Sequence, residues 1–165
     1  MAFQGSKGIQ MSEGNRTARW RRVVIAAALC VLSGNAGAAQ SAGVVKTLIG
    51  SASITRESSV LPMAPGQRVF AGDRISAAGA SYVGVTLHDD TRLAIGPGSE
   101  LVIREFEFNS SSYAGAFAIS FLRGTARVIT GIIAKHTPER VKFNTPTMTI
   151  GIRGTDFIVD LEEQQ

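Results

Sequence analysis

From Gly43 to Leu161 the apolar residues recur at every second position in short runs, and the runs are separated by turn-forming residues. Val83, Val85 and Leu87 give the clearest example, because polar or small residues alternate with them. No segment of this span has an apolar stripe of helical spacing and helical length. We predict a turn at Leu61-Pro62-Met63-Ala64-Pro65-Gly66, a break between strands at Arg123-Gly124-Thr125, and either a loop or one helical turn from Ile132 to Glu139. The pattern predicts an all-β fold, a single compact domain of about nine to twelve short strands, arranged either as a β-solenoid-like stack or as a β-sandwich.

Residues 1–38 have the composition of a signal peptide. A basic segment with Arg16, Arg19, Arg21 and Arg22 leads into the apolar run 23–32, and Ala36-Gly37-Ala38 follows as a small-residue cleavage site. The apolar run has about half of the ~20 residues that a membrane-spanning helix needs. We therefore predict a signal helix that is cleaved after Ala38, a domain over 39–165 with its core at about 43–161, and a periplasmic or secreted location.

Three alternatives to this description of the N-terminus stay open. The apolar run could remain uncleaved and tether the protein to the membrane, although its length argues against a stable span. The pair Arg21-Arg22 also resembles part of a twin-arginine export signal. Translation could begin at Met11 instead of Met1, because the first ten residues add nothing that such a signal requires.

The charge and the cysteine content of the remaining chain exclude several kinds of partner. Residues 1–38 hold five of the 17 basic and one of the 13 acidic residues, so the domain that follows has twelve of each. A domain without excess positive charge lacks the main electrostatic attraction to phosphate backbones, and we expect no nucleic-acid partner. Cys30, the one cysteine of the sequence, lies in the apolar run, so the domain has no disulfide and no cysteine-ligated metal.

The residues that could carry catalysis are few and scattered. His88 and His136 stand 48 positions apart, without metal-ligand spacing around either, and no G-x-S-x-G motif is present. Asp89 and Asp90 follow His88 directly, and we interpret all three as parts of a solvated turn. The sequence thus predicts a protein that is not an enzyme and that holds no cofactor and no metal ion.

Several short motifs occur in a fixed order along the domain. Gly72-Asp73 comes first, the hairpin around Asp89-Asp90 follows, and Leu122-Arg123-Gly124-Thr125 comes third; Thr145-Pro146 and the stretch Gly151-Ile152-Arg153-Gly154-Thr155 close the series. In order, spacing and residue type these motifs resemble the FecR domain family from about Gly43 to Leu161, which is nearly all of the chain after the predicted signal peptide. The resemblance implies a small all-β domain that works outside the cytoplasmic membrane.

The resemblance also implies which residues shape the fold. These structural positions are Gly72, Asp73, Asp89, Asp90, Gly124, Thr145, Pro146, Gly151, Arg153, Gly154 and Thr155. The family's hairpin has glycine where this chain has Asp90, so the aspartate is expected to adopt a positive φ at some cost. For Arg153, flanked by glycines, we favour a turn locked by pairing with Asp73 or Asp156 over an anion-binding nest.

The best known members of the FecR family are inner-membrane sensors with a cytoplasmic anti-sigma segment, a membrane span and this domain in the periplasm. The present chain has too few residues before its apolar run for an anti-sigma domain. We therefore expect a non-catalytic binding or scaffolding module whose partner is an envelope protein or a glycan. The first alternative is a membrane-tethered component of a signalling system, and the second is an enzyme that acts on envelope glycans.

Overall fold

The computed structural model describes residues 40–151 and 156–161, all within one compact unit that covers 39–165. The predicted signal helix lies outside the described residues. The described strands are β1 (Ser41–Ile49), β2 (Ala52–Arg56), β3 (Ser59–Pro62), β4 (Arg68–Phe70), β5 (Arg74–Ala77), β6 (Tyr82–Leu87), β7 (Arg92–Ile95), β8 (Glu100–Phe108), β9 (Gly115–Ile129), β10 (Val141–Asn144), β11 (Thr149–Gly151) and β12 (Asp156–Leu161). One short helix, α1 (Ile132–His136), and a 3-10 turn (Pro138–Arg140) join β9 to β10.

The twelve described strands form one curled sheet in which β9 belongs to two halves. The first nine residues of β9 pair with β8 and β10, and the segment from Gly124 onward pairs with β7 and β12. The first half contains β1, β4, β6, β7 and β12, and the second contains β2, β3, β5, β8, β10 and β11. All pairings are antiparallel except that between β9 and β10, so the all-β prediction is confirmed.

A single apolar cluster lies between the two halves. Val45 and Val85 come from the first half, Ile54 and Ile75 from the second, and all four are almost completely buried. Phe143 of β10 contacts other aromatic rings, with centroid distances of 5.4 Å to Phe117, 6.0 Å to Phe121 and 5.0 Å to Phe157. Both halves cover one core, so the described strands form a single curled sheet with the shape of a half-barrel.

The alternation from Val83 to Ile95 is confirmed, because every predicted inward residue there is buried. Leu61 and Pro62, which we predicted to lie in a turn, belong to strand β3 instead. The predicted break at Arg123-Gly124-Thr125 is a bend inside β9. Residues 132–139, expected to be a loop or one helical turn, form α1 and the start of the 3-10 turn.

Candidate functional site

Asp73 of the Gly72-Asp73 motif holds the turn between β4 and β5. Its carboxylate is fully buried and accepts hydrogen bonds of 2.8 Å from Arg56 Nε, Arg56 Nη2 and the Phe70 backbone N–H. The guanidinium of Arg56 also lies 4.3 Å from the centre of the Phe70 ring. Gly72 has φ +91°, and its N–H donates to the Ile103 carbonyl. The motif therefore ties three strands together and leaves no carboxylate oxygen for a ligand.

Asp73 and Asp156, the two residues that we expected as alternative partners of Arg153, both contact arginines of the described strands. Asp73 binds Arg56, and Asp156 forms an ion pair with Arg127. Arg56 was not singled out in the sequence because it lies 17 residues before Asp73, and the two meet through strand pairing. Residues 152–155, which include Arg153, Gly154 and Thr155, lie outside the described residues, so the role of this turn stays a prediction.

Asp89 is fully buried, so the prediction of a solvated turn is wrong for this residue, although His88 and Asp90 are exposed. One carboxylate oxygen of Asp89 accepts from the Thr91 N–H at 3.1 Å and the other from the Thr91 hydroxyl at 2.8 Å. The Thr91 hydroxyl oxygen in turn accepts from the Gly131 N–H at 2.9 Å. This network joins the hairpin of β6 and β7 to the segment that precedes α1.

Burial raises the pKa of Asp89 above its usual range, and the hydrogen bonds from Thr91 oppose that shift only in part. In the window from about pH 4 up to the folded pKa, the folded protein holds a proton that the unfolded chain releases. We expect the unfolding free energy to fall as the pH rises through this window and to level off above it. Urea titrations at several pH values should give this slope for the native protein and a flatter profile for Asp89→Asn; equal slopes would contradict the assignment.

Asp90 adopts φ +65°, as we predicted from its place at a hairpin position where glycine is usual. The Asp90 N–H donates to the Leu87 carbonyl, and the Leu87 N–H donates to the Thr91 carbonyl, which is the pattern of a three-residue hairpin loop whose last residue is left-handed. Glycine adopts this conformation without a steric penalty.

We expect Asp90→Gly to stabilise the protein by about 0.5–1 kcal/mol, because an L-residue in this region costs roughly 1–2 kcal/mol and aspartate somewhat less. Asp90→Ala should destabilise it, since alanine keeps the steric cost and loses the polar side chain. Urea denaturation of both variants measures the difference, and a loss of stability in Asp90→Gly would show that the carboxylate outweighs the strain.

The other motif residues that the structure describes lie at a strand bend, in a turn and at a strand end. Gly124 has φ +75°, and a Cβ at this position would lie 2.7 Å from the Ser99 Cα. The Ser99 hydroxyl accepts from the Thr125 N–H at 2.8 Å and fixes the bend in β9. Thr145 and Pro146 begin the turn between β10 and β11, where the Thr145 N–H donates to the Met148 carbonyl. Gly151 ends β11 opposite Lys142.

One contact between two side chains of types that can act in catalysis could not be predicted from the sequence. The Ser41 hydroxyl lies 2.8 Å from Nε2 of His88, 47 residues away, at an exposed position. No carboxylate within 40–151 and 156–161 hydrogen-bonds His88, so the described pair lacks the third member that orients a catalytic histidine. In the same part of the chain no group of three or more His, Cys, Asp or Glu side chains could hold a metal ion.

The outer face of the first half carries a shallow apolar groove. Cross-strand pairing places Thr47, Gly84, Ala94, Arg127 and Ile158 in one row across five strands. Gly84 and Ala94 have almost no side chain, so the row sinks at its centre and forms a groove of about 410 Å³ together with its neighbours. We call these five residues the outer row. Exposed apolar side chains stand on the same face, namely Ile49, Tyr82, Ile129 and Ile158.

The fold and these contacts define a small all-β domain in which buried acidic side chains fix turns and several exposed apolar side chains stand on one sheet face. A family model described as FecR protein matches residues 73–165, more than half of the sequence. The chain belongs to the FecR family. No curated protein and no solved structure gives a significant match. In the part of the chain that the structure describes, no helix has the length and apolarity needed to cross a membrane.

Proposed function

We propose that this chain is an exported, non-catalytic binding module of the bacterial cell envelope that takes part in cell-surface signalling. The observation that carries the proposal is the use of both motif aspartates, Asp73 and Asp89, as buried turn-holding groups. Membership of the FecR family, a family of regulatory proteins, also supports a non-catalytic role in signalling.

Binding is favoured by the surface that the fold leaves exposed. Tyr82 is 53 % and Ile158 66 % exposed on the same sheet face. Apolar side chains grouped on a sheet face are typical of surfaces that another molecule covers. A partner protein or glycan of the envelope would meet this face without any chemical step.

The test is recovery of the tagged protein from an envelope extract, combined with assays for cleavage of peptidoglycan and polysaccharide. We expect a stoichiometric partner and no released fragment. A component that is recovered equally with the destabilised variant Asp73→Ala is discounted. Multiple-turnover release of glycan fragments would overturn the proposal in favour of an enzyme.

Export and processing form the second part of the proposal. Cleavage after Ala38 would leave residues 39–165, a product of 127 residues. The intact mass of the protein recovered from a periplasmic fraction should correspond to that product. A protein that still contains Trp20 and Cys30 and is found only in membranes would favour the tethered signalling component, which the family relation also supports.

A further inference from the structure

The described sheet has four edge strands, and they differ in how well they are protected. β3 has four residues and ends at Pro62, which has no N–H to donate. β4 has three residues, and its Phe70 N–H is bonded to Asp73. β11 also has three residues. β12 has six residues without proline, so it is the longest unblocked edge in the described chain.

The hydrogen-bonding direction of β9 determines which main-chain groups of β12 have no partner strand within residues 40–151 and 156–161. The Thr125 N–H donates to Ser99 and the Thr125 carbonyl accepts from Gly96, so the main-chain groups of Thr125 point towards β7. Its neighbour Ala126 therefore points towards β12 and bonds its register partner Val159. By the same alternation, the N–H and C=O groups of Asp156, Ile158 and Asp160 face away from the sheet.

The side chains of these three residues stand on the outer face and alternate in character. Asp156 and Asp160 flank Ile158, which continues the outer row to the edge of the sheet. Asp156 is held by Arg127, whereas Asp160 accepts a hydrogen bond of 2.9 Å from the Thr125 hydroxyl. The free edge thus combines main-chain hydrogen-bonding groups with an acidic–apolar–acidic pattern of side chains.

The pattern selects between a second copy and a different partner. Antiparallel pairing of two copies about Ile158 would place Asp156 of each opposite Asp160 of the other, and in-register parallel pairing would also bring like charges together. Like charges directly opposite each other destabilise a strand pair, whereas opposite charges stabilise it. A strand with basic residues two positions on either side of an apolar residue matches β12 in either direction.

We propose that the free edge of β12 binds an extended strand of another protein that has the pattern basic–x–apolar–x–basic. This inference rests on the proposed binding function and specifies its surface. The incoming strand adds to the first half of the sheet through the main-chain groups of Asp156, Ile158 and Asp160. Its apolar side chain covers Ile158 at the end of the outer row, and its basic side chains lie opposite the two aspartates.

The test uses the protein purified in the form that cells accumulate and a labelled peptide, Thr-Lys-Thr-Ile-Thr-Lys-Thr. Fluorescence anisotropy should show saturable binding, and amide exchange should slow in β12. Ile158→Pro removes a free donor without breaking a bond to β9, and we expect affinity to fall by about tenfold or more. Asp160→Asn should weaken binding by about two- to fivefold.

Two controls separate edge binding from unspecific effects. A peptide with Glu in place of both Lys residues should bind at least about tenfold more weakly, because its charges face Asp156 and Asp160. Val60→Pro also introduces a proline at an edge-strand position, in β3, where the main-chain groups face away from the sheet. This variant should leave the affinity for the peptide unaltered. The inference is overturned if the Lys peptide does not bind, if both peptides bind equally, or if Ile158→Pro binds as the native protein does.

These results are distinguishable from a failure of the proposed function. If the native protein and Ile158→Pro recover the same stoichiometric envelope partner, the module function stands and the β12 edge is not its binding surface. If neither recovers a partner and glycan fragments are released, the binding function itself fails.

Discussion

Replacing Asp73 with alanine should destabilise the protein by about 3 kcal/mol and lower its Tm by about 10 °C. The carboxylate is fully buried and accepts three hydrogen bonds, two of them from the charged guanidinium of Arg56. Removing one member of a buried ion pair leaves its partner uncompensated, although Arg56 is 35 % exposed and recovers part of its hydration. Thermal and urea unfolding measure the loss.

The exposed ion pair between Arg74 and Glu100, with a contact of 2.5 Å, provides the matched control. Arg74→Ala should cost less than about 1 kcal/mol, because surface pairs contribute little. Arg56→Lys should give an intermediate loss, since lysine keeps the charge and lacks the planar fork that meets both carboxylate oxygens. A loss in Asp73→Ala no larger than that in Arg74→Ala would show that the motif aspartate does not hold the fold.

Replacing Gly131 with alanine should destabilise the protein by about 2–3 kcal/mol. A Cβ at this position would overlap the carbonyl oxygen of Asp89 and would lie 2.5 Å from the Thr91 nitrogen and 2.7 Å from the Asp90 carbonyl carbon. All three are backbone atoms, so none can move aside by rotating a side chain. The hairpin and the segment before α1 would have to separate, which would break the bond from Gly131 to Thr91.

Gly79→Ala is the control for this substitution. A Cβ at Gly79 would have no heavy atom within 4 Å, and the residue does not have a positive φ. We expect a change within about 0.5 kcal/mol, because the alanine adds no clash and restricts the unfolded chain slightly. If the two variants unfold at the same urea concentration, the close approach at Gly131 does not contribute to stability.

The strand pattern could be predicted wherever period-two alternation is uninterrupted, as from Val83 to Ile95. The prediction fails where the alternation of inward and outward side chains shifts by one residue. A register shift between Ile103 and Glu105 has this effect, so Ile103 and Phe106 are both buried although they are three positions apart. A local pattern also cannot distinguish a bend from a break, and Gly124 therefore lies inside a strand that we predicted to end there.

The candidate site was predictable only in its turn residues. The positive φ of Asp90 was predicted from the glycine that the resembling family has at this position, whereas the partner of Asp73 depends on which strands become neighbours. Gly84 and Ala94 gave a weak indication of the groove, since both residues occupy outward positions of an alternating run and both have little or no side chain. Their alignment into a groove depends on the registers of five strands, which the sequence does not encode locally.

The sharing of β9 between both halves of the sheet has a consequence for the order of folding. Residues 115–129 pair with four strands, and two of those lie before them in the chain and two after. The strands encoded before residue 115 cannot complete either half until β9 has been added, and the pairings of β9 with β7, β10 and β12 join residues that are far apart in the sequence. Such a topology folds slowly and as one cooperative transition. For the export that we propose, the consequence is that a chain not yet extended beyond β9 lacks both complete halves, and we expect it to remain in the unfolded state that a membrane-translocation channel can thread.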